Sequence, residues 1–388
     1  MREMKDSGIA WIGAMPRAWK MNTIAQIFLQ VKCKNTGLQE KNLLSLSYGK
    51  VKRKSIDTVE GLLPESFDGY NIIEKDDIVL RLTDLQNDHT SLRVGLAEER
   101  GIITSAYLII RNRSNFCPKY LYYYLHSFDI AKGFYGMGAG VRQGLNWDGV
   151  KWLKILAPSV PEQEHIAAFL DAECAEIDAV LEKTRASIEE YKKLKQAVIT
   201  QAVTKSIFDK QIYPHNVKLK YLLYIASGDA IRNEELSEVG KYPAYGGGES
   251  LGFASKYNTL ENSLIVGRVG ARCGCVTYID SKAWATDNAL IVHPICNPRY
   301  MYYMLIYSQL NNLNTSNAQP LITATKIKNV VVPYFLEDIC QRKIVDFLDE
   351  KCACIDALIA KKQQYLTEIE NYKKSLIYEY VTGKKEVV

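Results

Sequence analysis

The sequence repeats itself, and the repeat limits what the chain can fold into. QEHIAAFLDAECAEIDAVLEK, beginning at Gln163, returns as QRKIVDFLDEKCACIDALIAK, beginning at Gln341. The offset stays at 178 residues as far as Val203 and Thr204, which return as Val381 and Thr382. From Gln163 to Thr204, 16 of the 42 paired positions are identical and no gap is needed. A match at a fixed period sets the plan of a chain before any local pattern is read. Here the plan is a head followed by a long segment, twice over.

Both long segments read as helices. Leu170, Cys174, Ile177, Leu181, Thr184, Ile188, Tyr191, Lys195, Val198 and Ala202 step alternately by four and three. The second copy places Leu348, Cys352, Ile355, Ile359, Lys362, Leu366, Ile369, Lys373, Leu376 and Tyr380 on the same steps. That is the 3.5-residue period of a coiled-coil seam. A helix of this length would extend ~63 Å at ~1.5 Å per residue. Pro161 with Glu162 suits a helix start, and Gly383 suits a stop. Lys195 and Lys373 fall on the seam, where a lysine must reach its edge or meet a partner. Short connections favour an antiparallel pair, which would set the heads at opposite ends of a rod. The expected class is α+β: two pseudo-symmetric globular heads separated by two long helices forming an antiparallel coiled coil. The expected segments are 1–160, 161–206, 207–335 and 336–388.

Composition supports folded heads. The chain has 388 residues, 47% hydrophobic and 24% charged, which is not the balance of a disordered chain. No apolar run approaches the ~18 residues of a membrane span. The opening MREMKDSGIAWIGAMPRAWK has no apolar signal core. Nine cysteines without a pairing pattern suit a reducing compartment, so a cytoplasmic protein is expected. Net charge is +5, unevenly spread: residues 161–205 carry −3, residues 334–388 carry −1, and the heads hold +9. Basic heads suit a polyanion.

The heads follow one plan. Ile78-Val79-Leu80 and Tyr107-Leu108-Ile109-Ile110 read as strands in the first, and Leu264-Ile265-Val266 and Ala289-Leu290-Ile291-Val292 take their places in the second. Pro118 opens a tyrosine-rich helix that Pro298 repeats, and its tyrosines read as packing residues.

No catalytic signature is present. The chain lacks a GxxxxGK[ST] phosphate loop and an Asn-Pro-Pro-aromatic or Asp-Pro-Pro-aromatic methyltransferase motif. Cys273-x-Cys275 and Cys352-x-Cys354 are spaced too closely for a zinc knuckle, so no metal and no resident cofactor are expected. The candidate DNA contacts are basic and amide-bearing. They are Lys50, Lys52, Arg53, Lys54, Arg81, Thr83, Gln86, Arg142 and Gln143 in the first head, and Arg232, Arg268, Arg272, Asn317 and Gln319 in the second. Arginine forks fit guanine edges and phosphates, and amides fit base edges. A non-catalytic two-headed adaptor that binds proteins rather than DNA is the alternative.

Several motifs together resemble the specificity subunit of type I restriction–modification systems. They are IGAMPRAWK near the N-terminus, the PxxPEQxxIAxFLDxxxxxID stretch from Pro158 to Asp178, the second copy ending in VTGK, and the runs YPAYGGGES, IVGRVGARCG and Trp284 to Ala289. The second copy departs from the first by having Pro333-Tyr334 and Cys340-Gln341 at its start. The resemblance implies two target-recognition domains, each reading one half of a split, asymmetric site in double-stranded DNA. It implies that the helices set the gap between half-sites and dock two methyltransferase subunits. On that reading Leu170, Ile177, Leu181, Ile188, Lys195, Leu348, Ile355, Ile359, Leu366 and Lys373 are the partner-docking candidates. Restriction/translocase subunits would join as well. S-adenosylmethionine, ATP and Mg would sit on those partners, and this chain would be no enzyme.

Overall fold

A computed structural model describes residues 2–54, 66–137, 144–205, 212–314 and 320–387. The chain forms two compact units: Met1–Lys183 with Tyr365–Val388, and Thr184–Gln364. The long helices Val160–Thr204 and Asp338–Val381 each contribute to both units.

The first unit is built on a four-stranded antiparallel sheet in the order Phe28–Val31, Leu108–Asn112, Ile78–Leu80, Val94–Leu96. Ile78, Val79 and Leu80 are all fully buried. A central strand covered on both faces shows a continuous apolar run rather than alternation. Strand Lys20–Thr23 pairs with Lys154–Ala157 beside the start of the long helix. The helix Pro118–Ile130 packs its tyrosines inward, and Tyr120 and Tyr124 donate to the carbonyls of Leu156 and Lys154, both at 3.0 Å. A buried tyrosine needs such a partner for its hydroxyl.

The second unit repeats this core. Its sheet runs Leu223–Ser227, Ala289–Pro294, Ser263–Gly267, Val276–Ile279. Strand His215–Lys218 pairs with Val331–Tyr334, and the helix Pro298–Tyr307 takes the place of the first tyrosine helix. The two units differ outside the core. The first adds a hairpin, Leu44–Ser47 with Lys50–Arg53, closed by Tyr48 and Gly49 at φ 49° and 74°. Two successive positive φ values make the tight turn that matches strand twist. The second adds a whole sheet, Leu236–Ser237, Glu249–Ala254, Tyr242–Gly246 and Trp284–Ala285.

The internal repeat now has a physical explanation, residue by residue. Ile166, Leu170 and Cys174 are buried in the first unit's core, and Ile344, Leu348 and Cys352 in the second's. Gln163 accepts from the Cys117 N–H at 3.0 Å and donates to the Pro158 carbonyl at 2.9 Å. Gln341 donates to the Phe335 carbonyl at 2.7 Å. Each buried amide ties the start of its helix to the strand that leads into it. The second helix therefore starts at Asp338 without the prolines of the first. Tyr123 donates to Asp171 in the first unit, and Tyr303 donates to Asp349 in the second.

The seam lysines pair across the helices. Lys373 reaches Asp178 at 2.6 Å within the first unit, and Lys195 reaches Asp356 at 2.7 Å within the second. The 178-residue offset converts one pair into the other, and each joins an early residue of one helix to a late residue of its partner. Within each unit the helices are therefore antiparallel. Both lysines are partly exposed, so their pairs are screened. A Lys195→Ala, Asp356→Ala double-mutant cycle should give a coupling below about 1 kcal/mol. A coupling of several kcal/mol in urea unfolding would show that the pair is more than an edge contact.

Among the described residues, no helix is long and apolar enough to cross a membrane.

Candidate nucleic-acid interface

In the first unit the basic hairpin is less free than its sequence suggests. Lys50 lies 3.5 Å from Asp178 on the long helix, and Arg53 makes two bonds to Glu99. Tyr122 donates to the Gly49 carbonyl at 3.4 Å, so the hairpin tip leans on the tyrosine helix. The basic run is partly neutralised by acids from distant segments. Lys52 is exposed and Lys54 half-buried.

The loop from Arg81 to Arg93 makes a better reading surface. Leu82 and Leu85 are buried and anchor it, while Thr83, Gln86, Asn87, His89 and Thr90 are exposed. Arg81 lies 3.4 Å from Asp88. The Asp88 carboxylate accepts from Ser91 and Thr90 at 2.9 and 3.2 Å, and these bonds hold it well below the usual carboxylate range. Beneath the loop lies Arg93, fully buried. Asp129 accepts the Arg93 backbone N–H, and burial pushes its carboxyl up to about 6. Arg93 went unnoticed in the sequence because nothing marks a single arginine after a loop as an interior residue. Arg142 and Gln143 lie outside the described residues.

In the second unit three loops share backbone hydrogen bonds. The Arg268 N–H donates to Asn288 at 3.0 Å, and the Arg268 carbonyl accepts from Ile322 at 2.9 Å. Val269 bridges Leu321. A Cβ on Gly267 would lie 2.3 Å from the Arg272 carbonyl oxygen and 2.4 Å from that of Gly247, so only glycine allows the loops to approach this closely. Arg268 is half-buried, and Arg272 is exposed and paired with Glu249 at 2.7 Å. Asp287 and Asn288 are exposed on the same cluster. They were missed as site residues, although the Trp284 to Ala289 run contained them. Arg232 lies elsewhere, on the turn into strand Leu236–Ser237, where its N–H donates to Glu235 at 3.1 Å. Asn317 and Gln319 lie outside the described residues.

The partner-docking candidates need correction. Leu170, Leu181, Ile188, Leu348 and Ile355 are buried within the chain itself, and Ile177, Ile359 and Leu366 are half-buried on the same seam. Lys195 and Lys373 are paired with aspartates. The opposite face carries Val180 and Leu358, equivalent in the repeat and both exposed. Among the described residues, no three His, Cys, Asp or Glu side chains come together as a metal site. The Cys273 thiol donates to the Arg268 carbonyl instead.

The comparisons with known proteins follow the same lines. Residues 215–370 match the family model of the type I restriction modification DNA specificity domain. Among curated proteins, the EcoprrI specificity subunit of Escherichia coli is 28% identical over 137 residues, covering 34% of each chain. A putative type I specificity subunit of Mycoplasma genitalium is 27% identical over 146 residues, covering 35% of this chain and 38% of that one. These matches span about a third of the length of either relative. A solved chain from a study of complex assembly and conformational transition in a type I R-M system shares the fold. Its TM-score is 0.69 at 16% identity, covering 96% of this chain and 99% of that chain. The family model takes in the Arg268 loop, the Asn288 loop and most of the second long helix.

Proposed function

We propose that this chain is a type I specificity subunit and that it reads a bipartite, asymmetric site in double-stranded DNA, one unit to each half-site. The observation that carries the reading is that the two units share one core and differ in the loops that core displays. A common frame with different loops is what two different half-sites require. Base readout needs exposed forks and amides on rigid backbone. Gln86 and Asn87 supply the amides in the first unit, and Arg268, Arg272 and Asn288 supply the forks and an amide in the second. The +9 charge outside the long helices supports phosphate contact.

On this reading the chain is a reader and not a catalyst. Two methyltransferase subunits dock on the outer faces of the long helices and bring S-adenosylmethionine. Restriction/translocase subunits bring ATP and Mg. The protein-binding adaptor is the weaker reading, because an adaptor has no need of tight arginine loops in a basic head.

The test is DNA affinity measured against salt, with the methyltransferase partner present. A steep fall in affinity with rising salt is expected, as counterions are released from phosphates. Absence of DNA binding at low salt would sink the proposal. Arg268→Ala and Arg272→Ala should each weaken binding about tenfold, at one half-site only. Mismatched sites show this as lost discrimination in that half.

A further inference from the structure

We infer that Arg93 is the residue that fixes the reading loop of the first unit, and that the segment Thr83–Thr90 is that unit's base-reading element. The inference rests on the DNA-reading proposal above and names where in the first unit the reading is done.

Arg93 is fully buried, yet it has no close bidentate carboxylate. Its guanidinium lies 3.9 Å from the Asp88 carboxylate. The guanidinium is instead spent on the loop backbone. Nη1 donates to the carbonyls of Arg81 and Thr83 at 3.1 and 2.8 Å. Nη2 donates to the carbonyls of Asp84, at 3.4 Å, and Asp88. Nε donates to the Tyr135 hydroxyl at 3.0 Å, which donates in turn to the Asp88 carbonyl at 3.1 Å. One planar cation therefore holds four carbonyls of the loop backbone. Burying a charge is costly without such partners. That cost makes sense only if the loop must keep one shape.

The shape presents side chains outward. Asp84 takes a left-handed φ of 56°, and Asn87 donates to its carboxylate at 2.8 Å. His89 bonds the Gln86 carbonyl through its ring at 2.8 Å and stacks on Tyr135 with centroids 5.1 Å apart. The chain spends its ordering entropy here before any ligand arrives. The second unit holds its equivalent loop by different means, through Gly267 and the backbone bonds of Arg268. The units thus diverge at the place where their half-sites would differ.

The experiment maps the methylated motif in cells carrying the whole chain with its methyltransferase partner. Three exposed substitutions, Gln86→Ala, Asn87→Ala and His89→Ala, leave the core untouched. Arg93→Lys and Tyr135→Phe loosen the support beneath. The exposed variants should keep the wild-type melting temperature and lose or relax base preference in one half-site, leaving the other half unchanged. Tyr135→Phe and Arg93→Lys should broaden that same half, with mismatched sites methylated at least tenfold more often relative to the cognate site. If Arg93→Lys fails to fold, the exposed variants and Tyr135→Phe still decide. An unchanged motif in folded exposed variants, with a bipartite motif present in wild type, would overturn this inference alone. A wild-type complex that binds no DNA would overturn the underlying reading instead.

Discussion

Leu348→Ala will destabilise the second unit by about 3 kcal/mol, and Leu170→Ala will do the same to the first. The two leucines are repeat equivalents, and both are fully buried. Each sits where a long helix meets the core of its own unit: Leu170 with Ile166 and Tyr123, Leu348 with Ile344 and Tyr303. Cutting either side chain back to Cβ leaves a cavity among groups already fixed by a tyrosine–aspartate bond, so little can collapse into it. Leu358→Ala is the control. Leu358 is on the same helix but 42% exposed, and its loss should cost under about 0.5 kcal/mol. Hydrogen exchange resolves the units separately, which matters because a chain of two units need not unfold in one step. Equal small losses at Leu348 and Leu358 would mean that the seam does not hold the unit together.

The second large effect is acid instability at His126. This side chain is buried against Tyr122, its Nδ1 has no hydrogen-bond partner, and Gly49 lies close to its ring. Burial, with the charge of Lys373 adding to it, pulls its pKa down to about 4 from an ordinary 6.5. The folded state therefore refuses a proton that the unfolded state accepts. The His126 contribution is fully present above pH 6.5 and is lost as pH falls toward 4, by on the order of 3 kcal/mol. Asp129 acts in the opposite sense. Its carboxyl is pushed up to about 6, so the folded state gains relative stability as pH falls through 6. The two must be separated by comparing variants. The tyrosine helix of the second unit carries Ile306 where the first carries His126, so His126→Ile borrows the chain's own alternative. That variant should match wild type near pH 8 and exceed it progressively below pH 6.5 in urea unfolding. Parallel pH profiles for the two proteins would remove His126 as the cause.

Much of the fold was legible because it repeats. A period of 3.5 residues over the long segments and runs such as Ile78-Val79-Leu80 are burial patterns, and burial writes itself into sequence directly. The duplicated Gln163 and Gln341 were visible as identities, but their role was not. It depends on which carbonyl a folded strand leaves beside a helix start. The candidate interface was less legible for the same reason. Lys50, Arg53 and Arg272 read as free cations until Asp178, Glu99 and Glu249 arrived from elsewhere in the chain. Arg93 was the reverse case, a residue type expected at the surface that the fold turns inward. The seam residues were correctly placed on the helices and wrongly offered to a partner, since a heptad stripe does not say which helix covers it.

The central claim is that each unit reads its own half of a split site. Mapping methylated adenines in DNA from cells that carry this chain with its modification partner tests it most directly, wild type beside an Arg268→Ala, Arg272→Ala variant. The expected result is a motif of two defined halves around an undefined spacer, with the variant altered in one half alone. A single continuous motif, or a variant altered in both halves, would contradict the claim.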